Sequence, residues 1–211
     1  MRYPEFKQKV REYPLITRQY LGLLTADLHP LQNQLVRWQR QNLIIKLRRG
    51  IYLLNEEDRA INPSRLFIAN QLYSPSYISC EYALGYYGLI PERVADVTSV
   101  TTRKTAGFKN ELGTFRYQHI KEDAFAGFRE VKDEAGLTCL MAEPEKAVVD
   151  FLYLNLSKFK RDHREVLRDS YRFQSISDLK GAKIRNYARM FKSRKLLTVA
   201  KSFCRFRKEE T

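Results

Sequence analysis

From Pro30 to Gly50 the chain reads PLQNQLVRWQRQNLIIKLRRG. The chemistry on offer is hydrogen bonding, not bond making. Asn and Gln amides present a donor beside an acceptor, and Arg presents a planar fork of donors. These are the groups that pair bidentately with base edges in the major groove of DNA. On a helical wheel with Leu35 at zero and ~100° per residue, Leu31 falls near −40° and Trp38 near −60°. The opposite side collects Arg40 at ~140°, Asn33 at ~160°, Arg37 at ~200° and Gln41 at ~240°, with Gln32 adjoining. A solvated amphipathic helix has the same wheel, so the polar face alone decides nothing.

The flanking elements decide more. Thr17 can cap a helix over 17–25, because its hydroxyl can accept an otherwise unpaired backbone N–H. ADLHP is a turn, and Pro30 suits the first turn of the next helix, over 30–42. Ile44 to Leu47 and Ile51 to Leu54 are strand-like, with Arg48, Arg49 and Gly50 at the tip, where glycine accepts a positive φ. A further helix over 3–12 precedes them. Helix, turn, polar-faced helix and cation-tipped hairpin is the order of a winged helix-turn-helix. In that arrangement the second helix enters the major groove and the wing arginines meet phosphates or a neighbouring minor groove.

The remainder reads as α+β. Apolar spacing predicts helices over 63–73 and 79–88, with Gly88 as a stop. Strands are expected over 96–102, 113–120 and 137–142, making a small sheet. EPEKAVVDFLYLNL starts a helix, and from 160 onward the pattern is helical and basic, with a turn at Lys180–Gly181. The organisation expected is a winged helix-turn-helix domain over 1–60 and a mixed α/β domain over 61–211, whose basic helical tail begins near 158.

Charge follows the same division. The 211 residues carry 38 Lys plus Arg against 24 Asp plus Glu. Residues 1–60 hold 11 basic and 6 acidic groups, residues 61–157 hold 10 and 12, and residues 158–211 hold 17 and 6. A net +14 favours an anionic partner. No apolar run approaches the ~20 residues that span a bilayer. The N-terminus, MRYPEFKQKV, is charged throughout, unlike a secretory signal. Three separated cysteines, Cys80, Cys139 and Cys204, suggest a reducing compartment, so the cytoplasm is expected.

Catalytic patterns are weak. Glu143, Glu145 and Asp150 could suggest a metal site, but Asp150 lies ~140° round a helix from Glu145, so charge at a helix terminus is the better reading. Cys80 has no histidine nearby in sequence and reads as a buried thiol. Tyr82, Tyr86 and Tyr87 read as core packing. No phosphate-binding loop, nucleophile elbow or zinc-protease signature is present. No enzyme activity, metal or cofactor is expected. In the tail, Arg185, Arg189 and Lys192 fall at i, i+4 and i+7 and would share one helical face. That face suits DNA, RNA, an acidic protein or simply solvent.

Four stretches in fixed order, LIIKLRRGIYLL, SYISCEYALGYYGLIPERVADVTSVTTRKT, GTFRYQHI and AEPEKAVVDFLYL, resemble the AbiE-type abortive-infection antitoxins of type IV toxin–antitoxin systems. The resemblance spans about residues 15–155. It implies an N-terminal winged helix-turn-helix that binds double-stranded operator DNA and represses the antitoxin–toxin operon. It also implies a C-terminal domain that counteracts a nucleotidyltransferase-type toxin, which such antitoxins need not bind tightly. The DNA surface carries over to the 30–41 helix and to Arg48, Arg49 and Gly50; EPEKA is a mark of the family. Two-fold operators would favour a dimer or cooperative binding. Rival readings are a stand-alone regulator without a toxin, a nuclease, which would need converging carboxylates, and a pure protein-interaction module.

Overall fold

The computed structural model describes residues 1–25, 27–160 and 163–209. The chain is mixed α+β. Its first part runs α1 (Tyr3–Val10), β1 (Ile16–Thr17), α2 (Arg18–Leu24), α3 (Leu28–Arg40), β2 (Ile44–Arg48) and β3 (Ile51–Leu54). Local chemistry sets these ends. Thr17 accepts the Tyr20 N–H at 3.3 Å, and Asp27 accepts the His29 N–H at 3.0 Å, capping α2 and α3. At the other end of α3, Asn42 takes a left-handed φ of 56°. Its N–H bonds Gln39 O, and the Leu43 N–H bonds Trp38 O. This closes the helix and redirects the chain into β2.

The three strands form an antiparallel sheet in the order β1-β3-β2. Strand side chains alternate between faces, and here both faces are buried. Ile16, Ile44 and Leu54 join Phe6, Val10, Leu21, Leu31, Leu35 and Trp38 in one cluster. Leu15, Leu47, Ile51 and Leu53 belong to the larger core of the rest of the chain. That is why IIKLRRGIYLL is apolar almost throughout instead of alternating. The boundary expected near residue 60 separates elements in sequence, but it does not separate the cores.

The rest comprises α4 (Arg65–Leu72), β4 (Ser76–Ile78), α5 (Cys80–Tyr86), β5 (Val97–Thr101), β6 (Ala106–Asn110), β7 (Gly113–His119), β8 (Phe128–Lys132), β9 (Thr138–Ala142) and α6 (Pro144–Leu154). Then come α7 (His163–Glu165), α8 (Gly181–Met190) and α9 (Arg194–Glu209). The sheet is not small. It has six strands in the order β6-β7-β5-β4-β9-β8, with parallel β4–β9 and β5–β7 pairs. Three of these strands lack a sequence signature: β4 is three residues long, β6 contains Gly107, and β8 reads FREVK. Gly88 does stop α5: with φ 67° it donates to Gly85 O while Leu89 N–H reaches Leu84 O.

One sheet face meets α4, where the Tyr117 hydroxyl donates to Ala69 O at 2.6 Å. The other meets α6 through Tyr77, which donates to Asp150 at 3.0 Å. Asp150 is no helix-terminus charge, contrary to the sequence expectation. It lies inside α6, fully buried, in an ion pair with Lys146 one turn earlier, and also accepts from Ser79 at 2.7 Å. The Lys146 ammonium sits over the rings of Tyr77 and Phe191, 5.5 and 4.8 Å from their centroids.

Two stability tests follow. Leu53→Ala empties space in the shared sheet and is expected to cost about 2–5 kcal/mol. Because the sheet serves both cores, the emission of Trp38, the sole tryptophan, and the far-ultraviolet dichroism are expected to unfold at one denaturant midpoint, which the mutation lowers for both. Lys146→Met leaves a buried carboxylate without its counter-ion and is expected to cost about 3–5 kcal/mol, read as a fall in the urea midpoint.

Candidate nucleic-acid interface

The α3 wheel is realised in three dimensions. Leu31, Leu35 and Trp38 are buried. Gln32, Asn33, Arg37 and Arg40 are exposed, and none of these four side chains makes a hydrogen bond or ion pair among the described residues. The helix is capped at Gln41, so the exposed Gln41 stands at the end of the face and not within it. The helix also starts two residues earlier than expected, at Leu28, which places Pro30 in its first turn.

The hairpin tip is short and fastened. Gly50 has φ +81°, a conformation that side chains rarely adopt, and a Cβ there would lie 3.3 Å from Arg18 Cβ. The Gly50 carbonyl accepts the Arg18 N–H at 2.8 Å, tying the tip to the start of α2. The two tip arginines then diverge. Arg49 is exposed. Arg48 is half-buried and turns away, its guanidinium carbon 5.6 Å from the centre of the Phe108 ring on β6. Asn110 on the same strand donates to Leu47 O at 3.1 Å. The two arginines expected to meet phosphates or a neighbouring minor groove are thus placed differently, and Arg48 joins the hairpin to the large sheet. Residue type alone could not separate them; the β-bulge between Lys46 and Arg48 and the neighbouring β6 do.

Between α2, α3 and the hairpin runs an open groove of about 460 Å³, lined among others by Arg18, Gln32, Val36, Lys46, Arg49 and Gly50. Arg18 and Lys46 are exposed cations that sequence reasoning passed over. Their signal was weak: one opens a helix and the other lies inside a strand. Arg18, Lys46 and Arg49 have no ion-pair partner among the described residues, so their charge is open to an anion lying along the groove.

The basic tail is rearranged relative to expectation. Arg185, Arg189 and Lys192 do not form one helical face. Lys192 lies beyond the end of α8, at φ 52°, and pairs with Asp123. That contact holds the Asp123 carboxyl below its ordinary range. Arg185 is half-buried beside Gly181, and Arg189 donates to Asn186 at 2.7 Å. A single stripe of exposed cations lies on α9 instead: Arg194, Lys201, Arg205 and Lys208 recur at i, i+7, i+11 and i+14 along roughly 21 Å of one helical side. None of these four is in an ion pair among the described residues.

EPEKA acquires concrete roles. Glu143 accepts from Lys183 at 2.6 Å and from the Tyr187 hydroxyl at 3.0 Å. The hydrogen bond from Lys183 holds the Glu143 carboxyl below the usual range, while burial and the bond to Glu143 push the Tyr187 phenol up to about 12. Glu145 accepts the Lys180 N–H at 3.0 Å. The two glutamates thus fasten α8 to α6. No group of three His, Cys, Asp or Glu that could hold a metal exists among the described residues. Cys80 is buried, and burial pushes its thiol well above the ordinary value. Tyr82 and Tyr87 pack against the core as expected, whereas Tyr86 is 55% exposed. No helix among the described residues is long and apolar enough to cross a membrane.

No protein-family model and no curated protein matches the chain.

The divergence of the tip arginines can be checked directly. Arg48→Ala is expected to lower stability by about 0.5–2 kcal/mol through loss of the ring contact. Arg49→Ala is expected to stay within about 0.5 kcal/mol of the parent. Urea midpoints for the two single variants distinguish them.

Proposed function

We propose that the chain is a DNA-binding repressor and antitoxin of the AbiE type. Its first six elements act as a winged helix-turn-helix, with α3 as the recognition helix and the β2–β3 hairpin as a short wing. The observation that carries this reading is the unpaired set Gln32, Asn33, Arg37 and Arg40 on the outward face of α3, beside the cationic groove of Arg18, Lys46 and Arg49. Amides and guanidinium groups left free of internal partners fit base edges, and cations on the rim fit phosphates. Operator DNA is the proposed ligand, bound by a dimer or by cooperative copies, in the cytoplasm.

The antitoxin assignment rests on the sequence resemblance. The protein counteracts a nucleotidyltransferase-type toxin without being an enzyme itself. The α9 stripe is a separate surface for an anionic partner, replacing the α8 face expected from spacing. A regulator without a toxin is the second reading, favoured by the position of the unpaired polar face and the cationic groove together within the first six elements. The gene adjacent to this one separates the two.

Arg37→Ala is expected to lower affinity for a selected site by roughly 1–3 kcal/mol and to relax discrimination at one or two base pairs. Equal losses on selected and scrambled duplexes would make Arg37 a phosphate contact. Arg49→Ala is expected to weaken all duplexes alike and to reduce the slope of log affinity against log salt by about 0.9, the signature of one phosphate contact. Arg48→Ala, matched for folded fraction, is expected to leave that slope unchanged. Failure of the parent chain to bind any duplex at low salt would overturn the proposal.

A further inference from the structure

We infer that Val36 is a thymine-reading residue, meeting the 5-methyl group of a thymine in the major groove. The inference rests on the DNA-reading role proposed above and specifies which base that role selects.

Val36 is 49% exposed and belongs to neither apolar cluster, whereas Leu31, Leu35 and Trp38 are buried and Leu28 packs against the N-terminal core. The valine therefore contributes little to the fold where it stands. Isolated exposed apolar residues are common; the surroundings set this one apart. On the wheel it lies at about 100°, between Gln32 at about 60° and Arg40 at about 140°, with Asn33 one turn away. All three neighbours are exposed and free of internal partners. It also lines the groove together with Gln32, Lys46 and Arg49. Val36 is thus an apolar spot ringed by groups suited to base edges and phosphates.

The major-groove edges of the four base pairs present donors, acceptors and a single kind of apolar group, the thymine methyl. A valine pressed on a polar edge strips that edge of water and returns no hydrogen bond, which is unfavourable. Pressed on the methyl, it buries two apolar surfaces together. Valine also suits the task mechanically. Its branched Cβ holds one χ1 rotamer in a helix, so its methyl groups are already fixed before DNA arrives.

The test uses the full chain and duplexes enriched from a random library. Each thymine of an enriched site is replaced, one at a time, by uracil, which lacks only the methyl. At one thymine or more per site, uracil is expected to weaken binding by roughly three- to fivefold, the effect of burying one methyl group. In Val36→Ala, with unchanged far-ultraviolet dichroism and Trp38 emission, that penalty is expected to shrink to within twofold. The inference is overturned if every uracil replacement is neutral, or if the penalty is unchanged in Val36→Ala. If no duplex is enriched at all, the DNA-reading proposal itself fails and the inference falls with it. The two failures differ in whether binding exists.

Discussion

The double-sided burial of the β1-β3-β2 sheet is the constraint on which the rest depends. Ile51 and Leu53 point into the large core, while Leu54 and Ile44 point into the small one. A sheet with an apolar core against each face cannot shift register by one residue without exchanging both sets of side chains. Its register, and with it the position of α3, is therefore held by two cores at once. The exposed edge that a hairpin normally presents is also occupied: β2 lies against β6, with Asn110 on the Leu47 carbonyl and Arg48 on Phe108. An edge covered in this way cannot recruit another strand.

A second buried feature orients the helices behind the large sheet. Lys146 and Asp150 are wholly enclosed, and desolvation pushes the Asp150 carboxyl up even though Lys146, Ser79 and Tyr77 oppose it. Burial of the pair is offset by further contacts: the carboxylate also accepts from Tyr77 and Ser79, and the ammonium lies over two aromatic faces that attract its charge. With Glu143 and Glu145 gripping α8, the acids of the EPEKA stretch join elements together. They point to different partners: Lys183 and Tyr187 for Glu143, and the Lys180 N–H for Glu145.

The charge of the chain is sorted by whether it finds an internal partner. Lys146, Lys183 and Lys192 are matched by Asp150, Glu143 and Asp123. Arg18, Arg37, Arg40, Lys46 and Arg49 around α3, and Arg194, Lys201, Arg205 and Lys208 along α9, are not matched among the described residues. Unmatched cations repel one another and gain from an external anion. Two separate surfaces therefore carry part of the unmatched positive charge, alongside scattered exposed cations such as Lys9, Arg93, Lys104 and Lys109.

Much was legible from the sequence because it depends on local chemistry. The caps at Thr17 and Asp27 belong to helix starts; Thr17 was anticipated, and Asp27 extends α3 by two residues. The polar face of α3 follows from 3.6-residue periodicity, and the stop at Gly88 from glycine's tolerance of positive φ. The strands β5, β7 and β9 carry β-branched or aromatic side chains and are legible; β4 is too short, β6 is interrupted by Gly107 and β8 is too charged to show a pattern, although β6 and β8 pair with the strands that directly follow them. Side-chain fate is not legible either. Arg48 and Arg49 are chemically identical and adjacent, yet one stacks on Phe108 and the other faces solvent. Asp150 looks like any helical acid until Tyr77 and Ser79 arrive from β4 and its C-terminal end. Periodicity, capping and charge are properties of a segment and can be read in one dimension. Desolvation, edge coverage and ion pairing are properties of what comes to lie beside it, and only the tertiary structure decided those.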